Sequence, residues 1–345
     1  MNQKAVLVLD AGNSIIKAKM EGVELAYPHA LRKLTEAEYQ QVLDRAGTNG
    51  PPLDYVRVNG DPYVVGESAE RHGTLTRRSG AARYTRDYYG VFVAATLARM
   101  TEWGTHIALF GSHPPGDVIY RDKLMEAGAG NWKVEIGGKE RNFRITYVNT
   151  FEEPVGGLMN LLLADDGKHY QRTDLNGRTL VIDVGGHTTD WLAVNPGGEV
   201  DYSLSDSTPI GILEVVRDFE RSFRAKNREA TRGLATLPPD RVRKAIASGL
   251  FHGGGRDYPC EEEVREATSA LLNRIADTYQ NVAGGPLPWD SIVLTGGGSA
   301  MLYSRLVPLL EHSSIILADT AGSIHLANVR GGLKLWRLYE SMGLV

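Results

Sequence analysis

Two stretches of the chain repeat one local plan, a short apolar run that ends in aspartate and then turns back through glycine. The first is Ala5 to Leu9 followed by Asp10-Ala11-Gly12-Asn13-Ser14. The second is Thr179-Leu180-Val181-Ile182-Asp183 followed by Val184-Gly185-Gly186. Apolar runs of this length bounded by turn residues predict buried strands, and Ser14 to Met20 and Asp190 to Val194 can return as their hairpin partners. A plan that begins again halfway along predicts two units. The 345 residues are too many for one ordinary core and enough for two domains of average size.

Between and after these hairpins, strand and helix patterns alternate, which predicts an α/β fold. A polar helical stretch covers Thr35 to Ala46. Tyr55-Val56-Arg57-Val58 and Tyr63-Val64-Val65 flank Asn59-Gly60, a strong hairpin signal. Tyr88 to Met100 is apolar enough for a buried helix, with Tyr88, Tyr89 and Phe92 as core, and Thr105 to Phe110 reads as a strand. Trp132 to Ile136 and Asn142 to Val148 flank Gly137-Gly138-Lys139, and Val155 to Ala164 is helical. In the second half, helical spacing covers Gly211 to Arg224, Pro238 to Ser248 and Glu261 to Val282. In the last of these, Val264, Ala267, Leu271, Leu272, Ile275 and Tyr279 share a face. Ser291 to Leu294 is a core strand running into Gly296-Gly297-Gly298, and Ala327 to Tyr339 is a closing helix.

Composition narrows the function classes. A formal net charge of −4 and a pI near 6.2 do not provide the basic field of non-specific nucleic-acid binding, so direct DNA binding is not expected. The single cysteine, Cys260, excludes an intrachain disulfide and a multi-cysteine zinc site and fits a reducing, cytoplasmic setting. No apolar run has transmembrane length, and the opening residues lack the longer apolar segment of a signal peptide. Arg71, Arg77, Arg78, Arg83 and Arg86 read as a solvated basic face, with subunit contact as the sharper alternative.

The aspartate-glycine turns suit phosphate chemistry. Glycine lets backbone N–H groups approach phosphate oxygens. A carboxylate beside them can hold magnesium through its hydration shell together with substrate phosphates. One such turn is also what an ordinary capped hairpin looks like, so the argument rests on recurrence. Asp183-Val184-Gly185-Gly186-His187-Thr188-Thr189-Asp190 adds hydroxyls and a second carboxylate, and Ile292-Val293-Leu294-Thr295-Gly296-Gly297-Gly298-Ser299 places a glycine triplet directly after a core strand. Gly253-Gly254-Gly255 follows no core strand and reads as a plain turn.

In order and spacing these segments resemble the actin, sugar-kinase and heat-shock ATPase superfamily, and within it the prokaryotic actin-like proteins of the ParM type. The likeness extends to two hinge segments, Asn149-Thr150-Phe151-Glu152-Glu153-Pro154-Val155-Gly156-Gly157 and Ala327-Asn328-Val329-Arg330-Gly331-Gly332. It implies a two-lobed, ribonuclease H-like fold, each lobe built on a five-stranded mixed sheet with flanking helices, and a nucleotide cleft between lobes. The expected first lobe is residues 1–154 with 325–345, and the second is 155–324.

The resemblance also implies an ATPase that binds ATP and Mg. Asp10, Gly12, Asn13, Ser14 and Lys17 would form the first phosphate loop, Gly185, Gly186, His187 and Thr188 the second, and Gly296, Gly297, Gly298 and Ser299 the adenosine contact. His187 stands where relatives carry Thr or Gly. Asp10, Asp183 (through water) and Asp190 are the expected metal-side carboxylates. Water in line with the terminal phosphate must be positioned by a fixed group, and the first hinge offers Glu153, with Glu152 one position away; both also suit the start of a helix. Self-association into nucleotide-dependent filaments is implied, with an adaptor protein linking any DNA cargo. A small-molecule kinase of the same superfamily is the alternative, although the chain shows no sugar-site signature.

Overall fold

The computed structural model describes residues 5–345 except 48–49, 72–75, 77, 79, 103, 230, 232–233, 235 and 320–322. Arg77 of the basic cluster therefore lies outside the described residues. The chain divides into two compact units, Met1–Tyr170 with Asn328–Val345, and Gln171–Ala327.

The first unit opens with a meander of β1 (Ala5–Ala11), β2 (Ile15–Met20) and β3 (Val23–Pro28). A short β4 (Leu31–Lys33) follows, then α1 (Glu36–Ala46), whose start is fixed by a capping box between Thr35 and Glu38. β5 (Tyr55–Val58) and β6 (Asp61–Val65) form the predicted hairpin, with Asn59 and Gly60 both at positive φ, as its tight turn requires. Next come α2 (Glu67–Arg71) and the buried α3 (Tyr89–Met100). The unit continues through β7 (Gly104–His113), α4 (Arg121–Gly128), β8 (Gly130–Ile136), β9 (Lys139–Glu152) and α5 (Glu153–Leu162).

These strands form one nine-stranded sheet in the order β3-β2-β1-β7-β9-β8-β5-β6-β4. The expected five strands are its core, β3-β2-β1-β7-β9, but the sheet does not stop there. β9 is 14 residues long and pairs with β7 in parallel on one edge and with β8 antiparallel on the other. β8 in turn pairs with β5, Val56 opposite Ile136, so the small hairpin extends the main sheet. Phe92, Val93 and Leu97 of α3 pack fully buried against Leu7, Leu9 and Ile107 of the sheet.

The second unit contains β10 (Thr179–Val184), β11 (Thr189–Val194), β12 (Val200–Thr208), α6 (Ile212–Lys226), α7 (Pro239–Ser248), β13 (Leu250–Gly253) and β14 (Arg256–Pro259). α8 (Glu261–Asn281), β15 (Ser291–Thr295), α9 (Gly296–Leu310) and β16 (Ile315–Leu317) complete it. Its five-stranded sheet runs β12-β11-β10-β15-β16, the same order as the core of the first. All six residues of β10 are buried, as an apolar central strand must be. Phe219 and Phe223 of α6, Val264, Leu271 and Ile275 of α8, and Leu302 and Leu306 of α9 make the core.

The last helix, α10 (Ala327–Ser341), returns to the first unit from Asn328 onward. It crosses α5 with backbones touching, since a Cβ on Gly331 would fall on the carbonyl of Gly156, and one on Gly156 would meet Asn328. This crossing packs α5 within the first unit, whose first segment runs to Tyr170. α10 is also tied to the meander by charge. Arg330 Nη2 lies 2.8 Å from Glu24 of β3, and Lys19 of β2 lies 2.9 Å from the same carboxylate. The hydrogen bond from Arg330, aided by Lys19, holds the Glu24 carboxyl at about 2 against an ordinary 4.5, despite burial acting in the opposite direction.

A lowered carboxyl pKa gives stability that is present above the unfolded value and lost as pH falls toward the folded one. Glu24→Gln is expected to cost about 1–2 kcal/mol at pH 7, a figure discounted from the full shift because the pair is partly exposed. The difference should shrink as pH falls from about 4.5 toward 2, read by denaturant unfolding of both chains across that range.

Candidate functional site

In the first unit the candidate residues collect at the carboxyl ends of β1 and β9, where open α/β sheets place their ligands. Asp10 is fully buried, and Lys17, opposite it in the β1–β2 register, donates to its Oδ2 at 2.8 Å. Asp10 Oδ1 is buried and has no hydrogen-bond partner. Gly12 bends close over both, because a Cβ there would lie 3.3 Å from Asp10 Oδ1 and 3.5 Å from Lys17 Nζ. Its carbonyl contacts His29 Nδ1. Ser14 is half-buried and Asn13 is exposed.

The two hinge carboxylates part ways. Glu153, at the first turn of α5, is 7% exposed and shares an electrostatic neighbourhood with Asp10 around Arg83. Glu152, the residue before the helix, is half-buried, and its field is felt at Tyr339 of α10. The segment Asn149–Glu152, expected as a hinge, is the end of strand β9.

In the second unit Asp183 (5% exposed) ends β10 beside Thr295 of β15, its parallel neighbour. The glycines are the first turn of α9 and not a loop ahead of it. Gly296 has φ +82°, and a Cβ there would collide with Asp183 Oδ1, while one on Gly298 would come within 2.5 Å of Val184 Cγ1. Only glycine permits this approach of helix to strand. Gly297 faces open space, with nothing within 4 Å of a Cβ. Thr295 Oγ1 and Ser299 Oγ, both on fully buried residues, have no hydrogen-bond partner.

The second loop is internally braced. Gly185 N–H donates to Thr188 O at 2.8 Å, and Thr188 Oγ1 donates to Asp190 Oδ2 at 3.0 Å. From the start of α6, the amides of Ile212 and Leu213 donate to the carbonyls of Gly185 and Gly186. Gly211 makes room, since a Cβ there would stand 2.5 Å from Gly186 O. His187 is half-buried.

Of the basic face, Arg71 and Arg86 are exposed and Arg78 is half-buried, while Arg83 is buried. Arg78 pairs with Asp87 at 2.6 Å, Arg86 stacks over Trp132 at 3.9 Å from the ring centroid, and Arg71 donates to Ser68 Oγ. Arg83 is 4% exposed and donates to Ala11 O inside the first loop. Sequence reasoning missed it because an arginine among arginines reads as surface. Among the described residues, no group of three or more His, Cys, Asp or Glu is arranged to hold a metal ion, and no helix is long and apolar enough to cross a membrane.

Residues 9–156 match the family described as actin like proteins, N-terminal domain, and residues 181–307 match the archaeal actin homologue MreB-like, C-terminal domain. Among solved structures, the chain is similar to the archaeal actin homologue Ta0583. The two are 21% identical, with a TM-score of 0.74 and 95% of this chain and 98% of that one covered. The ParM protein of psk41 is 18% identical with TM-score 0.70, covering 98% of each chain. A ParM from Clostridium botulinum, solved as a 15-stranded filament, is 17% identical with TM-score 0.64, covering 96% and 98%. Such identities establish the fold. None of the curated protein sequences is significantly similar to the chain.

Proposed function

Since the chain belongs to the actin-like proteins, we propose that it is an ATPase that binds Mg-ATP at its aspartate-glycine loops and assembles into nucleotide-dependent filaments. The observation that carries this reading is the pair of matched hairpins, Asp10 and Asp183, each at the end of a buried strand, with Gly12 lying close over Asp10 and Gly296 so close to Asp183 that a Cβ would collide with it. Archaeal Ta0583 has been solved in complex with ADP, which supports a nucleotide as the ligand.

The residues present fit a nucleotide phosphate. Buried oxygens without a partner at Asp10, Thr295 and Ser299 mark places where a ligand or its hydration shell would complete the hydrogen bonding. Gly12 and Gly186 offer backbone N–H groups, and Lys17 offers a positive charge held in place by Asp10. Asp10, Asp183 and Asp190 would hold magnesium through water, and the bound ion would neutralise phosphate charge. Gly297, open and exposed, leaves room for the flat face of adenosine. Glu153 aims a water by accepting its hydrogen bond, and its burial keeps that orientation fixed.

A bound terminal phosphate is a contact that hydrolysis removes, and such a differential contact can shift a conformational equilibrium. Filaments then form with ATP and disassemble after turnover, through a heterologous contact between copies. An acidic chain of this kind would reach DNA through an adaptor protein. Light scattering and pelleting of the pure protein with Mg-ATP, Mg-ADP and no nucleotide test the proposal. Pellets containing filaments by electron microscopy are expected with Mg-ATP. A protein that stays monomeric under all conditions while transferring phosphate to a small hydroxyl compound would instead establish a kinase.

A further inference from the structure

The first aspartate-glycine turn is braced through its carbonyls and leaves its amides unused. Arg83, 4% exposed and set in a short 3-10 turn, Gly80–Arg83, reaches inward so that Nη2 donates to the carbonyl of Ala11. Its Nη1 lies 3.9 Å from Asp117 Oδ2, which also accepts from Tyr84 Oη at 2.7 Å. His29, just past the end of β3, holds the same turn at two points. Its imidazole Nδ1 meets the carbonyl of Gly12, and its backbone N–H donates to Ser14 O at 2.9 Å. A carbonyl can only accept, so Nδ1 carries the proton in that pair. The ring is set against Phe92, edge to face with centroids 4.5 Å apart, and against Tyr88 at 5.6 Å.

The amides of Gly12, Asn13 and Ser14, by contrast, have no hydrogen-bond acceptor among the described residues. In a planar trans peptide the carbonyl of one residue and the N–H of the next point in opposite directions. Ala11 O, drawn to Arg83, therefore turns the Gly12 N–H away from the buried guanidinium. Gly12 O, drawn to His29, turns the Asn13 N–H away from the imidazole. Each brace fixes the direction of one donor, at a turn where Asp10 Oδ1 and Ser14 Oγ are also buried without a partner. Successive free N–H groups of this kind suit an anion.

We propose that His29 and Arg83 are positioning residues for phosphate, holding back the carbonyls of Gly12 and Ala11 so that the amides of Asn13 and Gly12 are already presented when the phosphate chain of a nucleotide arrives. The inference rests on the nucleotide reading of this site. It assigns both residues to phosphate recognition and neither to the nucleoside. Donors aimed in advance add affinity because binding does not have to order them.

The test is calorimetric titration of the full chain with Mg-ATP and with adenosine, which carries no phosphate, alongside melting temperatures without nucleotide. His29→Leu removes the donor and keeps an apolar side chain against Phe92. It is expected to weaken Mg-ATP binding about 10- to 30-fold, the scale of one hydrogen bond to a charged group, with adenosine affinity changed less than about 2-fold. His29→Asn places an amide nitrogen where Nδ1 stood, and should restore Mg-ATP affinity to within about 3-fold of the parent. Arg83→Met should reproduce the selective loss; if it does not fold, the two His29 variants decide. Equal Mg-ATP affinity in His29→Leu and His29→Asn, or a loss shared equally by adenosine, overturns the proposal and leaves the nucleotide reading standing. An unaltered chain that does not bind Mg-ATP overturns the nucleotide reading and this inference with it.

Discussion

Glu153→Gln is expected to lower phosphate release about 100-fold, the lower end of what a positioned acid–base group contributes, while Mg-ATP still raises the melting temperature. The two hinge carboxylates occupy different surroundings. Glu153 is buried in the neighbourhood of Arg83, as is Asp10. Glu152 is half-buried and is felt at Tyr339. The amide keeps the shape and loses the charge that orders water, so binding survives where turnover fails. Glu152→Gln is expected to change kcat by less than about 3-fold. Single-turnover release of phosphate from preloaded Mg-ATP separates the two, and normal release by Glu153→Gln would remove it from the catalytic role.

The second large effect is on stability. Gly331→Ala is expected to cost about 3 kcal/mol, the upper range for overpacking, which for a unit of this size lowers the melting temperature by roughly 6–12 °C. The added methyl falls on the carbonyl of Gly156, a backbone group on another helix that cannot rotate aside. α5 and α10 must separate, and the gain in helix propensity from alanine, about 1 kcal/mol, offsets only part of the loss. Gly332 is tight as well, with Phe151 Cζ 2.7 Å and Val8 Cγ1 2.8 Å from a Cβ. Gly297→Ala is the control, since its Cβ meets nothing; its melting temperature should stay within about 2 °C of the parent. Scanning calorimetry of both variants without nucleotide checks the pair, and equal melting temperatures would mean the helices do not cross this closely.

Features written in neighbouring residues were legible from the sequence. The Asn59-Gly60 and Gly137-Gly138 turns, the aspartate-ended strands and the buried face of α8 depend on local dihedrals and periodicity, and each lies where the sequence places it. β3, β4 and β16 were not legible. β4 and β16 are three residues long, and β3 alternates too weakly, so partners and not propensity define them. The nine-stranded sheet was hidden for the same reason, because the pairing of Val56 with Ile136 joins residues far apart in the chain. In the site, Asp10, Lys17 and Gly12 come together as their spacing required. Arg83 did not announce itself, since burial of a charge is decided by what surrounds it. Nor did Gly331, whose reason for being glycine is the helix it touches.

The length of β9 has a mechanical consequence. The strand is bonded to β8 along one edge and β7 along the other, and 14 residues of extended chain span roughly 45 Å. A load applied at its Lys139 end meets many hydrogen bonds in shear together, so the strand slides as a rod before it peels. The hairpin Tyr55–Val65 is coupled to that rod through β8, and the rod's other end is where Glu153 begins a helix. A pull on the hairpin is therefore delivered as a displacement at Glu153, which gears the far edge of the sheet to the carboxylate proposed to aim the water.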